Sequence, residues 1–260
     1  MADSAAAPFD PRALAAKLHG LRRSRNQAPT AGFSLPADLR HAMDAQNFLA
    51  ADEAIESNAW KVTVSPDGQA VTAPLHPYVQ ADSGAQIPWQ RGTKFEAEIA
   101  VRLGRDLAIR REGSYSRADI VDAIDAVHLG AELLASAVEE SGKISFLLFL
   151  ADRLGNSGYV LGPRVSKSAV DTASGTALKV TFNGQPLYDA PAQHPKGDVL
   201  TWLLDYANDG MRPNTSLKAG ALITTGTLCG AIELLTPGEI EIAFGGSAYL
   251  RLALVQLHSK

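Results

Sequence analysis

The sequence predicts an α+β protein in which a small helical N-terminal part, residues 1–58, precedes a strand-rich domain, residues 59–260. Three observations carry the prediction. Apolar residues in the first sixty positions recur at intervals of three and four, as on one face of a helix. From Ala59 the interval drops to two. The last hundred residues are mostly short alternating runs separated by turn residues.

Residues 11–23 carry Leu14, Leu18 and Leu21 behind Asp10 as N-cap, with Pro11 at the first helical position. Residues 27–35, which include Pro29 and Gly32, read as a linker. A second helix begins near Pro36 or Ala37 and runs to Ile55, with Leu39, Met43, Phe48 and Leu49 as its buried residues. Residues 59–65 set Trp60, Val62 and Val64 against Lys61, Thr63 and Ser65, and Pro66, Asp67 and Gly68 close that strand as a turn. Residues 69–91 hold no long periodic run and read as one long loop, the kind of segment that often lines or covers a site. Residues 95–101, FEAEIAV, are the clearest strand, with Phe95, Ala97, Ile99 and Val101 on one face.

A helix over residues 117–128 follows, capped by Ser116 with Asp119, striped by Ile120, Ile124 and Val127 and ended by His128. Residues 129–138, LGAELLASAV, read as the next strand. After an apolar patch at 143–150, a loop from Ala151 leads into a strand at 159–161. Residues 178–182 end at Asn183-Gly184, a strong hairpin signal. A helix at 198–206 carries Leu200, Leu203 and Leu204. Runs at 221–225, 239–244 and 249–257, with a Gly245-Gly246 turn, then read as a meander.

Composition narrows the function. A hydrophobic fraction of 46% with 20% charged residues is that of an ordinary globular chain with ample core. The net charge of −4 gives no reason to expect nucleic acid or an anionic membrane as partner. Cys229 is the only cysteine, which rules out an internal disulfide and a thiolate cluster. The N-terminus has no basic stretch followed by an apolar run, and no segment approaches 18 apolar residues, so the expectation is a soluble, cytoplasmic protein.

Two features point to chemistry. Glu96 and Glu98 alternate with the apolar face of their strand and point the same way. Two such carboxylates repel unless a cation lies between them, and a hard ion such as magnesium takes carboxylate oxygens. The alternative is a solvent-facing edge neutralised by Lys94 and Arg102. Glu132 is the one charged residue in a stretch of small and apolar ones. Burying it unpaired would cost several kcal/mol, so it either shares a cation with the other two or faces water at a strand end.

Several segments, taken in order, resemble the fumarylacetoacetate hydrolase superfamily, and within it the branch of 2-keto-4-pentenoate hydratase and 2-oxo-hexenedioate decarboxylase. They are WKV around Lys61, FEAEIAVRLGRDL at 95–107, the later strand glutamate Glu132, ADRLGNSGYVLG at 151–162, TTGTLCGA at 224–231 and GEIEIAFGG at 238–246. The resemblance implies a mixed β-sandwich-like roll with a small helical N-terminal part, assembled as a homo-oligomer. It implies that Glu96, Glu98 and Glu132 ligate Mg2+ or Mn2+. It also implies that Lys61 and Asp152 are catalytic, and that Thr227, Leu75 and Ser157 contact a small 2-oxo acid substrate.

The implied reaction is that of a hydratase acting on a short 2-oxo or 2-hydroxydienoic acid in aromatic-compound breakdown. Its siblings are a decarboxylase and a hydrolase cleaving a carbon-carbon bond in an acylpyruvate, for which His76 would be the candidate base. A non-catalytic scaffold subunit is the remaining alternative. The chain departs from the branch where Ala135 and Ala137 replace a charged pair and Arg153 replaces an asparagine, and 69–78 lacks an expected Asp-x-Gly. These departures put the substrate in question rather than the metal ligands.

Overall fold

The computed structural model describes residues 9–56, 58–80, 84–140 and 143–256. Leu257, the expected end of the last strand, and the first eight residues lie outside them. In chain order the helices are α1 (Pro11–Ser24), α2 (Leu39–Asp52), α3 (Arg117–Ala123), α4 (Phe146–Ala151), α5 (Ala169–Thr172) and α6 (Thr201–Ala207). The strands are β1 (Ala59–Val64), β2 (Ala70–Pro74), β3 (Tyr78–Gln80), β4 (Ala85–Pro88), β5 (Lys94–Leu103), β6 (Ile124–Leu134) and β7 (Asn156–Val165). They continue with β8 (Ala177–Phe182), β9 (Gln185–Pro191), β10 (Leu222–Thr227), β11 (Ile232–Glu233), β12 (Gly238–Phe244) and β13 (Ala248–Val255). The α+β class follows from these elements.

The chain divides into two compact units, one of residues 1–56 with 136–155, the other of 57–135 with 156–260. The first therefore takes in a second segment, 136–155, that sequence periodicity groups with the strands. Its helix α1 starts as its sequence dictates, with the Asp10 carboxylate accepting from the backbone N–H of Arg12 and Ala13 and proline just inside the helix. Asp38 caps α2 in the same way, by accepting from His41 N–H. Leu14, Leu18, Phe33, Leu49, Val138 and Leu148 pack into one core. The face α2 buries consists of Ala42, Ala45, Gln46 and Leu49. Phe48, expected inside, is exposed and lies under the Arg12 guanidinium.

In the second unit the larger sheet has the order β2-β1-β10-β5-β6-β7-β3, with the short β11 also paired to β5. The smaller has the order β4-β13-β12-β8-β9. Ile99, Val101, Leu129, Leu133 and Val160 on one face of the larger sheet share a single apolar cluster with Val180, Ile240, Ile242, Leu250 and Leu252 of the smaller. Each such side chain contributes about 1.5–3 kcal/mol when fully buried. The alternation in β5 is thus fixed by what its odd positions bury, and the even positions face the other way. On that opposite face a small apolar cluster of Ala59, Leu75, Ala100, Tyr159, Leu161 and Leu222 is also closed off from solvent.

Three expectations change. The loop at 69–91 contains three short strands: β2 pairs with β1, β3 with β7 and β4 with β13. Each is only three to five residues long, and β2 is buried at four successive positions, so no alternation marks it. The helix expected over 117–128 ends at Ala123. Ile124 turns extended, and β6 pairs with β5 from Ile124 opposite Leu103 to Leu134 opposite Lys94. The spacing of Ile120, Ile124 and Val127 fits a helix stripe, but the cross-strand ladder overrides it. His128 accordingly sits mid-strand, with Nδ1 3.1 Å from Gly162 O, and is no helix-end partner. The meander is also broken: β12 and β13 pair, whereas β10 joins the larger sheet between β1 and β5. The Asn183-Gly184 hairpin forms as expected, both residues having positive φ.

Candidate metal centre

The ladder sets the site. Glu96 lies directly opposite Glu132, and Glu98 lies between Gly130 on β6 and Thr227 on β10. One carboxylate oxygen from each of Glu96, Glu98 and Glu132 falls within 4.8 Å of the others. Glu98 and Glu132 are 1% and 0% exposed, which excludes the solvent-facing edge as an account of them. β5 is a central strand, flanked by β10 and β6.

Lys61 reaches this cluster from β1. Its Nζ donates to Glu132 Oε1 at 2.8 Å. The same oxygen accepts from Asn156 Nδ2 at 2.9 Å, while Asn156 Oδ1 accepts from His76 N–H at 2.8 Å. Glu132 Oε1 is therefore engaged twice. Glu132 Oε2 and Glu98 Oε2 are buried and have no hydrogen-bond partner among the described residues. Orphaned buried acceptors are rare and costly. A set of three carboxylates with two unspent oxygens fits a hard divalent cation, which takes oxygen ligands and leaves further positions to water or substrate.

The electrostatics express the same imbalance. Burial, then the Glu132 charge, raises the Glu96 carboxyl from 4.5 to about 7, against the pull of Lys61 and Lys94. Burial and the neighbouring Glu132 and Glu96 hold the Glu98 carboxyl well above the ordinary range. For Lys61, burial is the largest single influence and acts downward, but Glu132, Glu96 and Glu98 together outweigh it and leave its pKa raised.

Of the other residues that the resemblance singles out, Thr227, Leu75 and Ser157 belong to the second unit. Thr227 ends β10 opposite Glu98, and its hydroxyl donates to Gly230 O at 3.1 Å and accepts from Cys229 N–H. Leu75 is fully buried in the apolar cluster on the carboxylate face of the sheet, and Ser157 is half-buried on β7. Asp152 belongs to the first unit. Its Oδ2 accepts from Ser136 Oγ and Ala137 N–H, both at 2.8 Å, and its Oδ1 lies 3.1 Å from Arg22 Nε. Sequence reasoning passed over Asn156 and Tyr159, both fully buried beside Glu132. An asparagine within a run of small residues gives no signal by itself, although its position just before the predicted strand was visible.

A mixed two-sheet α+β domain with a three-carboxylate cluster on the face of its central strands defines a class of candidate metal-dependent enzymes. The chain belongs to the fumarylacetoacetate hydrolase family: the family model described as "Fumarylacetoacetate (FAA) hydrolase C-terminal" matches residues 40–252. None of the curated proteins matches the sequence. Among solved structures, 4-oxalocrotonate decarboxylase from Pseudomonas putida G7, complexed with magnesium and adipate, is 18% identical with a TM-score of 0.77. The match covers 94% of this chain and 97% of that one. The 2-hydroxyhepta-2,4-diene-1,7-dioate isomerase from Mycobacterium marinum is 21% identical with a TM-score of 0.54, over 77% of this chain and 75% of its own. Maleylpyruvate hydrolase from Sphingobium sp. SYK-6 is 17% identical with a TM-score of 0.52, over 76% and 71%. These neighbours are enzymes that share the fold.

Proposed function

We propose that the protein is a divalent-metal-dependent lyase acting on a short 2-oxo or 2-hydroxydienoic acid, and that it hydrates a substrate such as 2-hydroxypenta-2,4-dienoate in aromatic-compound catabolism. The observation that carries this reading is the pairing of one lysine with three clustered carboxylates, of which the two buried ones, Glu98 and Glu132, each keep an unspent oxygen. Glu96, Glu98 and Glu132 would hold Mg2+ or Mn2+, which when bound supplies Lewis-acid stabilisation of enolate charge, an effect worth several kcal/mol.

The remaining work falls to the chain. Lys61 holds a proton on Nζ beside the cluster, kept there by the three carboxylates, and delivers it to the enolate carbon. Lys61 and Asn156 fix Glu132 by its Oε1, so that Oε2 stays turned to the cluster. Thr227, level with Glu98, is the candidate for the substrate's carboxylate end, with Ser157 as a further polar contact and Leu75 on the apolar side. Asp152, expected to act with Lys61, takes a holding role in this reading, because both its oxygens are engaged by Ser136, Ala137 and Arg22. A cytoplasmic homo-oligomer completes the reading.

Decarboxylation is the second reading, favoured by the likeness to 4-oxalocrotonate decarboxylase along almost the whole of both chains. The same enolate then follows loss of carbon dioxide. Incubation with 2-hydroxypenta-2,4-dienoate and, separately, with 4-oxalocrotonate, each with Mg2+, distinguishes the two. Loss of dienol absorbance without gas supports hydration, and release of carbon dioxide supports decarboxylation. Turnover of neither substrate with Mg2+ or Mn2+ would sink both and leave the acylpyruvate hydrolase, which acetylpyruvate would test, and the scaffold subunit.

A further inference from the structure

One buried polar group on the carboxylate face has no use in the reading above. Tyr159, on β7 directly opposite Glu132, is wholly buried, and its hydroxyl has no hydrogen-bond partner among the described residues. The ring extends across β6, so that a Cβ placed on Gly130 would collide with the hydroxyl oxygen. Gly130 is the cross-strand neighbour of Glu98 and stands two residues before Glu132. The phenol therefore ends above the one position on β6 that has no side chain, between the two carboxylates that carry unspent buried oxygens. The charges of Glu98 and Glu132 both act on it, in support of that placement.

Tyr159 has apolar neighbours otherwise: Ala59, Leu75, Ala100, Leu161 and Leu222 share its cluster. A phenylalanine would fill that space with no orphaned donor, and a buried hydroxyl that makes no bond is a cost without a return unless a partner comes to it. Glu132 is oriented through Oε1 by Lys61 and Asn156, and the Glu98 carboxylate has a hydrogen bond to the Thr224 side chain, but its Oε2 has no partner among the described residues. We propose that Tyr159 is a positioning residue of the metal centre, whose hydroxyl, admitted by Gly130, donates to the Glu98 carboxylate when the three glutamates close on a cation. This inference rests on the three-carboxylate site of the preceding subsection. It assigns Glu98 a second outer partner beside Thr224, of the kind metal ligands ordinarily have.

The test is titration of Mn2+ into the full chain and into Tyr159→Phe, followed by calorimetry and by the ultraviolet difference spectrum of tyrosine. The expected result is a metal-free Tyr159→Phe that melts no lower than wild type yet binds Mn2+ about 10- to 100-fold more weakly. Loading wild type should also perturb a tyrosine band that Tyr159→Phe lacks. Equal Mn2+ affinity in the two proteins, or a difference spectrum unchanged by the substitution, would overturn the assignment of Tyr159 while leaving the metal centre standing. Absence of Mn2+ binding by wild type would overturn the metal centre itself, and this inference with it. Should Tyr159→Phe melt lower than wild type, the difference spectrum of wild type decides: no tyrosine band moving on loading counts against the proposal.

Discussion

Each of the two units buries a cluster of charges, and the clusters differ in their balance. In the first unit Arg22 pairs with Asp152 and Glu53, and Arg153 pairs with Glu53, two cations against two anions. In the second, three glutamates face one lysine bonded to Glu132, with Lys94 acting on Glu96 alone. The balanced cluster compensates its charge by these ion pairs and further spends Asp152 on Ser136 and Ala137 N–H. The unbalanced one keeps two orphaned oxygens and carboxyls pushed upward. Burial of charge alone does not mark a functional site; burial of charge that the fold leaves uncompensated does.

Substitutions in the two clusters should therefore have opposite signatures. Glu132→Ala removes the carboxylate that both Lys61 and Asn156 hold. It should abolish Mg2+ binding in calorimetric titration, and an unchanged isotherm would break the contrast. Asp152→Ala takes from Arg22 the nearer of its two carboxylates and from Ser136 and Ala137 N–H their buried acceptor, and should destabilise the protein by about 3 kcal/mol in urea unfolding. A loss below about 1 kcal/mol would mean that this cluster is not the structural one.

Asn156→Ala should weaken Mg2+ binding by about 10- to 100-fold without abolishing it, because Lys61 still holds Glu132 Oε1. The smallest effect is on pH dependence. With Glu96 raised from 4.5 to about 7, the folded metal-free protein binds more protons than the unfolded chain between those values. Its stability should therefore be highest below about 4.5 as far as this group is concerned, and fall as pH rises through about 7. Mg2+ competes with the same proton, so its affinity should rise over that window, the raised Glu98 carboxyl adding to the rise as it ionises. A flat affinity across it would contradict the raised Glu96 carboxyl.

Much of this was legible in the sequence where periodicity and chemistry coincide. The FEAEIAV alternation gives β5 and the common direction of Glu96 and Glu98, and the isolation of Glu132 among small residues offers a buried carboxylate as one of two readings, the one its burial bears out. Asp10 with Pro11, Ser116 with Asp119, and Asn183-Gly184 name their caps and turn because each acts through the backbone next to it. What did not show is set by partners distant in the chain. The short strands β2, β3 and β4 exist because β1, β7 and β13 offer them edges, and Ile124 leaves the helix because β5 offers it a ladder. Asn156 and Tyr159 acquire their place only when β7 is laid beside β6. Phe48 looked like core by type, yet the face that α2 buries is that of Ala42, Ala45, Gln46 and Leu49, and Phe48 is exposed.

The most direct test of the uncompensated cluster is the melting temperature of wild type and Glu98→Gln, each with and without saturating Mg2+. The account predicts that at alkaline pH, where the raised Glu98 carboxyl is driven to ionise, Glu98→Gln melts a few degrees higher than metal-free wild type, about 2–4 °C for each kcal/mol gained. It also predicts that Mg2+ raises the melting temperature of wild type and leaves that of the variant unmoved. A variant that melts lower than metal-free wild type and still responds to Mg2+ would mean that Glu98 is structural, as Asp152 is, and that the three glutamates do not form a cation site.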